Sequence, residues 1–148
     1  MTDIFTKKDR SRVMRAVRGK DTQPERALRS ALHRAGYRFR LHRTDLPGKP
    51  DIVLPRFGTV IFVNGCFWHQ HLGCRKATIP QTNRAFWRRK LRRTVERDAE
   101  NSRGLAIQGW NVITVWECEM KKSMEETIQR IIKELQQSGH SSRRQEEV

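Results

Sequence analysis

The sequence predicts an α/β fold in which a central mixed β-sheet is flanked by helices, and three observations support this. Apolar runs such as Val60-Ile61-Phe62-Val63 are strand length and rich in β-branched residues. They alternate with longer segments whose apolar residues recur at helical spacing. At 148 residues the chain has the size of one domain that buries a real core, and no repeat or Pro/Gly-rich linker divides it.

The elements follow in order. Residues 7–18 (KKDRSRVMRAVR) read as a short basic helix with Met14, Val17 and Val13 on one side. Thr22-Gln23-Pro24-Glu25 has the spacing of a capping box with Pro early in the first turn, opening a helix to about Ala35 that Gly36 stops. Tyr37 to His42 alternates as a strand, and LPGKP (46–50) is a turn. Asp51–Leu54 and Thr59–Val63 then form adjacent strands joined through Pro55–Gly58. A helix from about Asn83 to Gln108 carries an apolar stripe of Trp87, Leu91, Val95 and Ala99, then Leu105 and Ala106, with Gly109 as its stop. Asn111–Glu117 (NVITVWE) is a buried strand. Ser123 and Glu126 cap a last helix whose Met124, Ile128, Ile131, Ile132 and Leu135 share a face. The expected order is α-α-β-β-β-α-β-α, with a disordered tail from Gly139.

Charge is unevenly placed. Residues 1–95 hold 23 Lys/Arg against 6 Asp/Glu, a net of +17, whereas residues 96–148 hold 8 against 10, a net of −2. The 44 residues between Asp51 and Glu96 contain no carboxylate and 9 Lys/Arg. Solvated helices normally mix signs, so a one-signed stretch points to a polyanion, with nucleic acid first among candidates. No apolar run is long enough to span a membrane, and MTDIFTKKDRSRVMR has no apolar segment behind its charges. Composition therefore predicts a soluble, cytoplasmic protein.

Three cysteines are too few for a disulfide framework. They fall into one pattern, Cys66-x2-His69-x-His71-x2-Cys74 with Cys118 just beyond a strand, which offers five candidate ligands to an ion such as zinc that takes four. Spacing does not decide which histidine binds, and the surplus one is positioned for acid–base work. Pro50-Asp51 ahead of a strand suits Mg²⁺ or a turn that hydrogen-bonds its own backbone. Glu25 is accounted for by the capping box alone. Trp87 lies on the helical stripe, but adjacent Phe67-Trp68 in a short loop rarely both face inward. Exposed aromatics in a basic protein can wedge between base steps, while Arg88, Arg89, Lys90, Arg92 and Arg93 hold phosphates on either side.

PGKPD (47–51), VNGCFWHQH (63–71), FW (86–87), VERD (95–98), GW (109–110) and VWEC (115–118) together resemble the very-short-patch-repair (Vsr) mismatch endonucleases. The likeness runs from about Ser11 to Cys118, with the motifs in family order. It implies a restriction-endonuclease-like sandwich with a structural zinc loop. It also implies a Mg²⁺-dependent enzyme that nicks one strand of duplex DNA 5′ of the thymine in a T·G mismatch left by 5-methylcytosine deamination. The partners are then mismatched double-stranded DNA and, functionally, a cytosine-5 methyltransferase, and the protein acts as a monomer.

Position by position, the resemblance makes Asp51 and the backbone carbonyl of Val63 the Mg²⁺ ligands, His69 the general base or acid, and Glu25 an organiser of water. Cys66, His71, Cys74 and Cys118 would hold zinc. Phe67, Trp68 and Trp87 would enter the stack, with Met14 and Val17 approaching from the opposite groove. The strand TVIFVNG (59–65) lacks the (D/E)-x-K pair of related nucleases, a loss the family shares. Asn64 stands where some members carry a further catalytic histidine, so a phosphate or water contact is its available role, and one extra residue separates His71 from Cys74 relative to some members. The implied organisation is a DNA-binding arm over residues 1–20, an endonuclease domain over 21–138 and a tail over 139–148. Other readings are a restriction-type or structure-specific nuclease of the same fold and a non-catalytic zinc DNA-binding module.

Overall fold

The computed structural model describes residues 22–146, and their side chains over 22–137. Its elements are α1 (Gln23–Arg34), β1 (Arg40–Leu41), β2 (Ile52–Leu54), a 3₁₀ turn (Pro55–Phe57), β3 (Thr59–Asn64), α2 (Arg84–Ile107), β4 (Asn111–Trp116), α3 (Glu117–Lys122) and α4 (Met124–Glu146). The basic helix expected over 7–18, with Met14 and Val17, lies outside the described residues.

The strands form one mixed sheet in the order β1-β2-β3-β4, antiparallel at the first two junctions and parallel between β3 and β4. The antiparallel hairpin follows from the short Pro55–Gly58 connection, and the parallel pair from the helical crossover through α2. Alternation along the strands divides the core into two layers. Ile52, Leu54, Ile61, Ile113 and Val115 pack with Leu28 and Leu32 of α1, Met120 of α3, and Ile131 and Leu135 of α4. Val53 and Val60 face the other way, toward Leu46 and Leu105 of α2. The sheet is thus covered on both faces, an α/β sandwich as the sequence predicts. Leu28, Leu32, Ile131 and Leu135 are fully buried, and each contributes about 1.5–3 kcal/mol.

Several local expectations differ from the structure, and α3 (Glu117–Lys122) is absent from the expected order. The strand expected over Tyr37 to His42 is reduced to Arg40–Leu41, because Tyr37 and Phe39 pack on the core and His42 adopts φ 50, which ends extended pairing. The stripe assigned to α2 is also out of phase. Leu91 and Leu105 are buried, but Val95 and Ala99 are exposed, and half-buried Thr94, Asp98, Asn101 and Ser102 turn inward instead. That side of α2 lines a polar cleft, so apolar periodicity does not report its facing. Finally, α4 continues through Gly139, where the sequence reading begins a tail; one glycine costs a helix about 1 kcal/mol and need not end it. Its start behaves as expected, with the Glu126 N–H donating to Ser123 Oγ at 3.2 Å.

The LPGKP turn fastens β2 to α2. Gly48 has φ 74, and a Cβ there would lie 3.0 Å from Asn101 Cβ. Both left-handed backbone and close approach require glycine. Gly48→Ala is therefore expected to cost about 1–3 kcal/mol, read as a lowered midpoint in thermal or urea unfolding. An unchanged midpoint would contradict this packing.

Candidate active site

Because β2 runs against both neighbours, the end of β1, the start of β2 and the ends of β3 and β4 share one edge of the sheet. The residues singled out from the sequence converge there. Asp51 opens β2, Val63 and Asn64 close β3, and the loop carrying Cys66 to Cys74 follows directly. Glu25 of α1, His42, Asp51, Val63, Asn64, Trp68 and His69 line one side of an open cleft of roughly 980 Å³, and α2 supplies the other with Arg89, Lys90, Arg93, Arg97 and Asp98.

Asp51 sits at the floor. Its Oδ2 accepts the Val63 N–H at 2.7 Å. Burial pushes its carboxyl from the usual 3.8 up to about 6; the Val63 N–H pulls it back, Glu25 pushes it further, and His42 and His69 pull it down. A carboxylate held at that cost favours a cation beside it. Glu25 is 2 % exposed, and its carboxylate lies 3.0 Å from His42 Nε2 and 3.7 Å from Arg29. The capping box is not made, since Thr22 forms no side-chain cap hydrogen bond. The Glu25 carboxylate is turned into the cleft, away from the helix end. One ligand atom each from Glu25, His42 and Asp51 lie within 4.8 Å of one another.

His69 stands where the loop meets α2. The His69 N–H bonds Gly65 O at 3.1 Å, and its ring Nδ1 lies 2.6 Å from Asp98 Oδ2. An ionised carboxylate only accepts, so Nδ1 carries a hydrogen, and the neutral ring in this orientation has its lone pair on Nε2. Asn64 is 8 % exposed and lines the cleft wall.

The second cluster explains the loop's shape. Cys66, His71, Cys74 and Cys118 each offer a ligand atom, all within 4.8 Å of one another. His71 Nδ1 lies 3.7 Å from Cys66 Sγ and 3.3 Å from Cys118 Sγ. Metal bonds of about 2.3 Å to sulfur and 2.0 Å to nitrogen give tetrahedral edges of about 3.5 Å, so the set fits a tetrahedral ion. The Cys118 N–H donates to Cys66 Sγ at 3.4 Å, as suits a thiolate. Burial pushes the Cys66 thiol up to about 11 against the pull of that N–H, so ionising it calls for a compensating cation. His71 stacks on Trp116 with centroids 4.1 Å apart and 10° between planes, which fixes its ring. Gly73, at φ 78, turns the chain back to Cys74. His71, not His69, therefore belongs to the cysteine cluster.

Phe67, Trp68 and Trp87 pack edge to face or tilted at 5.1, 5.7 and 5.9 Å between centroids, and all three are half-buried. Half-exposed Phe86 joins at 5.5 Å from Trp87. Trp87 is thus neither plain core nor isolated wedge, but part of an aromatic platform at the cleft mouth. The basic residues of α2 split into two rows four residues apart. Arg89, Arg93 and Arg97 line the cleft, and Arg84, Arg88 and Arg92 flank a neighbouring groove. Lys90 lies over the Phe86 and Trp87 rings, 5.8 and 6.0 Å from their centroids.

Two residues of the cleft escape sequence reasoning. Asp98 lies in the quoted VERD motif, but its partner is 29 positions away. His42 was legible in principle, since the register Arg40↔Val53 and Leu41↔Ile52 extends to His42 opposite Asp51.

The raised Asp51 carboxyl has a consequence for stability. The folded chain holds that proton more tightly than the unfolded one, so this contribution is complete below the ordinary value near 3.8 and lost as pH rises to about 6. In metal-free protein, Asp51→Asn is expected to add about 1–3 kcal/mol at pH 7 and to flatten the fall in stability between about pH 4 and 6. Thermal melts across that range check it; a variant no more stable than its parent at pH 7 would contradict it.

The sequence profile described as DNA mismatch endonuclease Vsr matches residues 2–76. The type II nicking enzyme V.XorIIP of Xanthomonas oryzae pv. oryzae is 49 % identical over 120 residues, covering 81 % of this chain and 88 % of that protein. The type II nicking enzyme V.NmeAIP of Neisseria meningitidis serogroup A is 43 % identical over 137 residues, 91 % of this chain and 97 % of its own length. The DNA mismatch endonuclease Vsr of Escherichia coli K12 is 41 % identical over 121 residues, 82 % and 77 % of the two chains. The reading as a non-catalytic zinc module falls away, because the relatives are endonucleases. No helix among the described residues is long and apolar enough to cross a membrane. This chain belongs to the Vsr family of DNA mismatch endonucleases and is a DNA-nicking enzyme.

Proposed function

We propose that the protein nicks one strand of double-stranded DNA on the 5′ side of the thymine in a T·G mismatch, using Mg²⁺ for catalysis and zinc for structure. The observation that carries this reading is the meeting of three features in one cleft: a half-buried Asp51, a His69 oriented by Asp98, and the aromatic platform. The sandwich is of the restriction-endonuclease-like type, with Asp51 at the head of the β2–β3 hairpin.

Asp51, the Val63 carbonyl and Glu25 offer hard oxygen donors of the kind Mg²⁺ takes. Bound there, the ion would neutralise the scissile phosphate and acidify the attacking water. His69 exchanges the proton through Nε2, and Asp98 holds the tautomer that makes this possible. Arg89 and Arg93 grip the flanking phosphates. Asn64 donates a hydrogen bond to phosphate or water at the cleft wall. Phe67, Trp68 and Trp87 insert at the mispaired step, with Met14 and Val17 entering from the opposite groove. Unstacking costs a few kcal/mol and is cheapest at a mismatch, so insertion itself selects the lesion. Such mismatches arise where 5-methylcytosine deaminates, which ties the activity to that of a cytosine-5 methyltransferase.

The zinc set, Cys66, His71, Cys74 and Cys118, closes a loop too polar to hold its shape by burial. Asp51→Ala is expected to abolish nicking of a T·G duplex while leaving binding largely intact. His69→Ala should lower the nicking rate about 10²–10⁴-fold with zinc retained, whereas His71→Ala should lose zinc and stability. Undiminished cleavage by Asp51→Ala would overturn the metal assignment. Equal cutting of T·G and fully paired duplexes would favour a restriction-type nuclease instead.

A further inference from the structure

The ligand set proposed above gives no role to the imidazole that stands nearest its carboxylates. His42 projects from the end of β1, its ring 15 % exposed and its Nε2 3.0 Å from Glu25 Oε1. Its backbone is held at φ 50, the left-handed region that non-glycine residues enter uncommonly, and its N–H reaches Asp51 O at 3.3 Å. The loop thus accepts an unfavourable conformation that brings an imidazole against two acids contributed by α1 and β2.

The spacing carries information. For an octahedral ion with bonds of about 2.1 Å, adjacent ligand atoms lie about 3.0 Å apart and opposite ones about 4.2 Å. The His42–Glu25 separation matches an adjacent pair, and one ligand atom each from Glu25, His42 and Asp51 fit within 4.8 Å. Glu25 is buried, so it cannot swing out to make room. The donor set is therefore two carboxylates and an imidazole, on three separate elements.

We propose that His42 is a nitrogen ligand of the catalytic divalent ion, which makes this a mixed carboxylate–imidazole site with a stronger preference for Mn²⁺ over Mg²⁺ than an all-oxygen site has. The proposal rests on the reading of Asp51 and Glu25 as metal ligands. Imidazole raises affinity for transition ions along the series from Mn²⁺ upward, whereas Mg²⁺ gains little from nitrogen. The competing role is an ion pair in which His42 only steadies Glu25. That role places no nitrogen on the metal.

The test is electron spin-echo spectroscopy of Mn²⁺ bound to zinc-loaded protein, with the cysteine cluster thereby filled, alongside calorimetric titration with Mn²⁺ and Mg²⁺. The parent protein is expected to bind one Mn²⁺ with a ¹⁴N coupling of the strength of direct imidazole ligation. In His42→Gln the coupling should vanish, and Mn²⁺ affinity should fall about tenfold or more, with Mg²⁺ affinity falling less. A parent complex without ¹⁴N coupling overturns the proposal with no need of a variant. So does a coupling that persists in His42→Gln and disappears in His69→Gln, which assigns the nitrogen to His69. Asp51→Ala separates the two levels. If Mn²⁺ binding survives it unchanged, the carboxylate site and this proposal fall together. If binding is lost but the parent shows no nitrogen, only the role of His42 falls.

Discussion

The constraint on which the site depends is the tie between the loop over 66–74 and the end of β4. Within that loop only Cys66 is buried, while Leu72 at its tip is 95 % exposed. So little burial cannot offset the entropy of ordering nine residues, at about 1–2 kcal/mol each. The Cys66, His71, Cys74 and Cys118 cluster supplies the missing order. It joins a segment directly after β3 to one directly after β4, two strands already held in parallel register up to Asn64↔Trp116. Stacking of His71 on Trp116 carries the tie into the sheet itself. Everything the loop presents, Phe67, Trp68 and His69, inherits its position from that joint.

The other half of the cleft works by convergence at one sheet edge. Antiparallel pairing around the LPGKP turn brings His42 opposite Asp51, and Asp51 in turn accepts the Val63 N–H from the next strand. Three strands thus meet at one carboxylate. Burial and the nearby Glu25 make its ionisation unfavourable in the metal-free chain. Stability is given up at the place where a cation would restore it, a common exchange at functional sites. Across the cleft, α2 turns Arg89, Arg93 and Asp98 toward the acids, so positive charge and the partner that orients His69 come from one helix.

This division explains what could be read from the sequence. The mixed sheet, its hairpin, the cysteine pattern and the Asp51 turn depend on residues close in sequence, and local periodicity and spacing reveal them. Glu25 shows where local rules mislead. Its capping-box spacing is real, but the side chain instead meets His42, a partner known only through folding. The α2 stripe fails for a related reason: a helix facing a polar cleft turns half-buried Asp98 and Asn101 inward rather than Val95 and Ala99, so apolar periodicity loses its meaning. Asp98 could not be placed without the tertiary pairing to His69. The choice between His69 and His71 needed the turn from Phe67 to His71, including Gln70 at φ 48, which spacing cannot encode.

On the function proposed above, recognition and cleavage become one event, since the loop that would carry the wedge also carries His69. The most direct measurement places 2-aminopurine beside a T·G mispair and follows its fluorescence on binding Asp51→Ala protein, which prevents cutting. With zinc-loaded protein, emission should rise sharply at T·G and stay low at the same step in a T·A duplex, and removing zinc should abolish the rise at matched occupancy. Equal emission from both duplexes, or a full rise from zinc-stripped protein, would contradict a wedge held in place by the cysteine cluster.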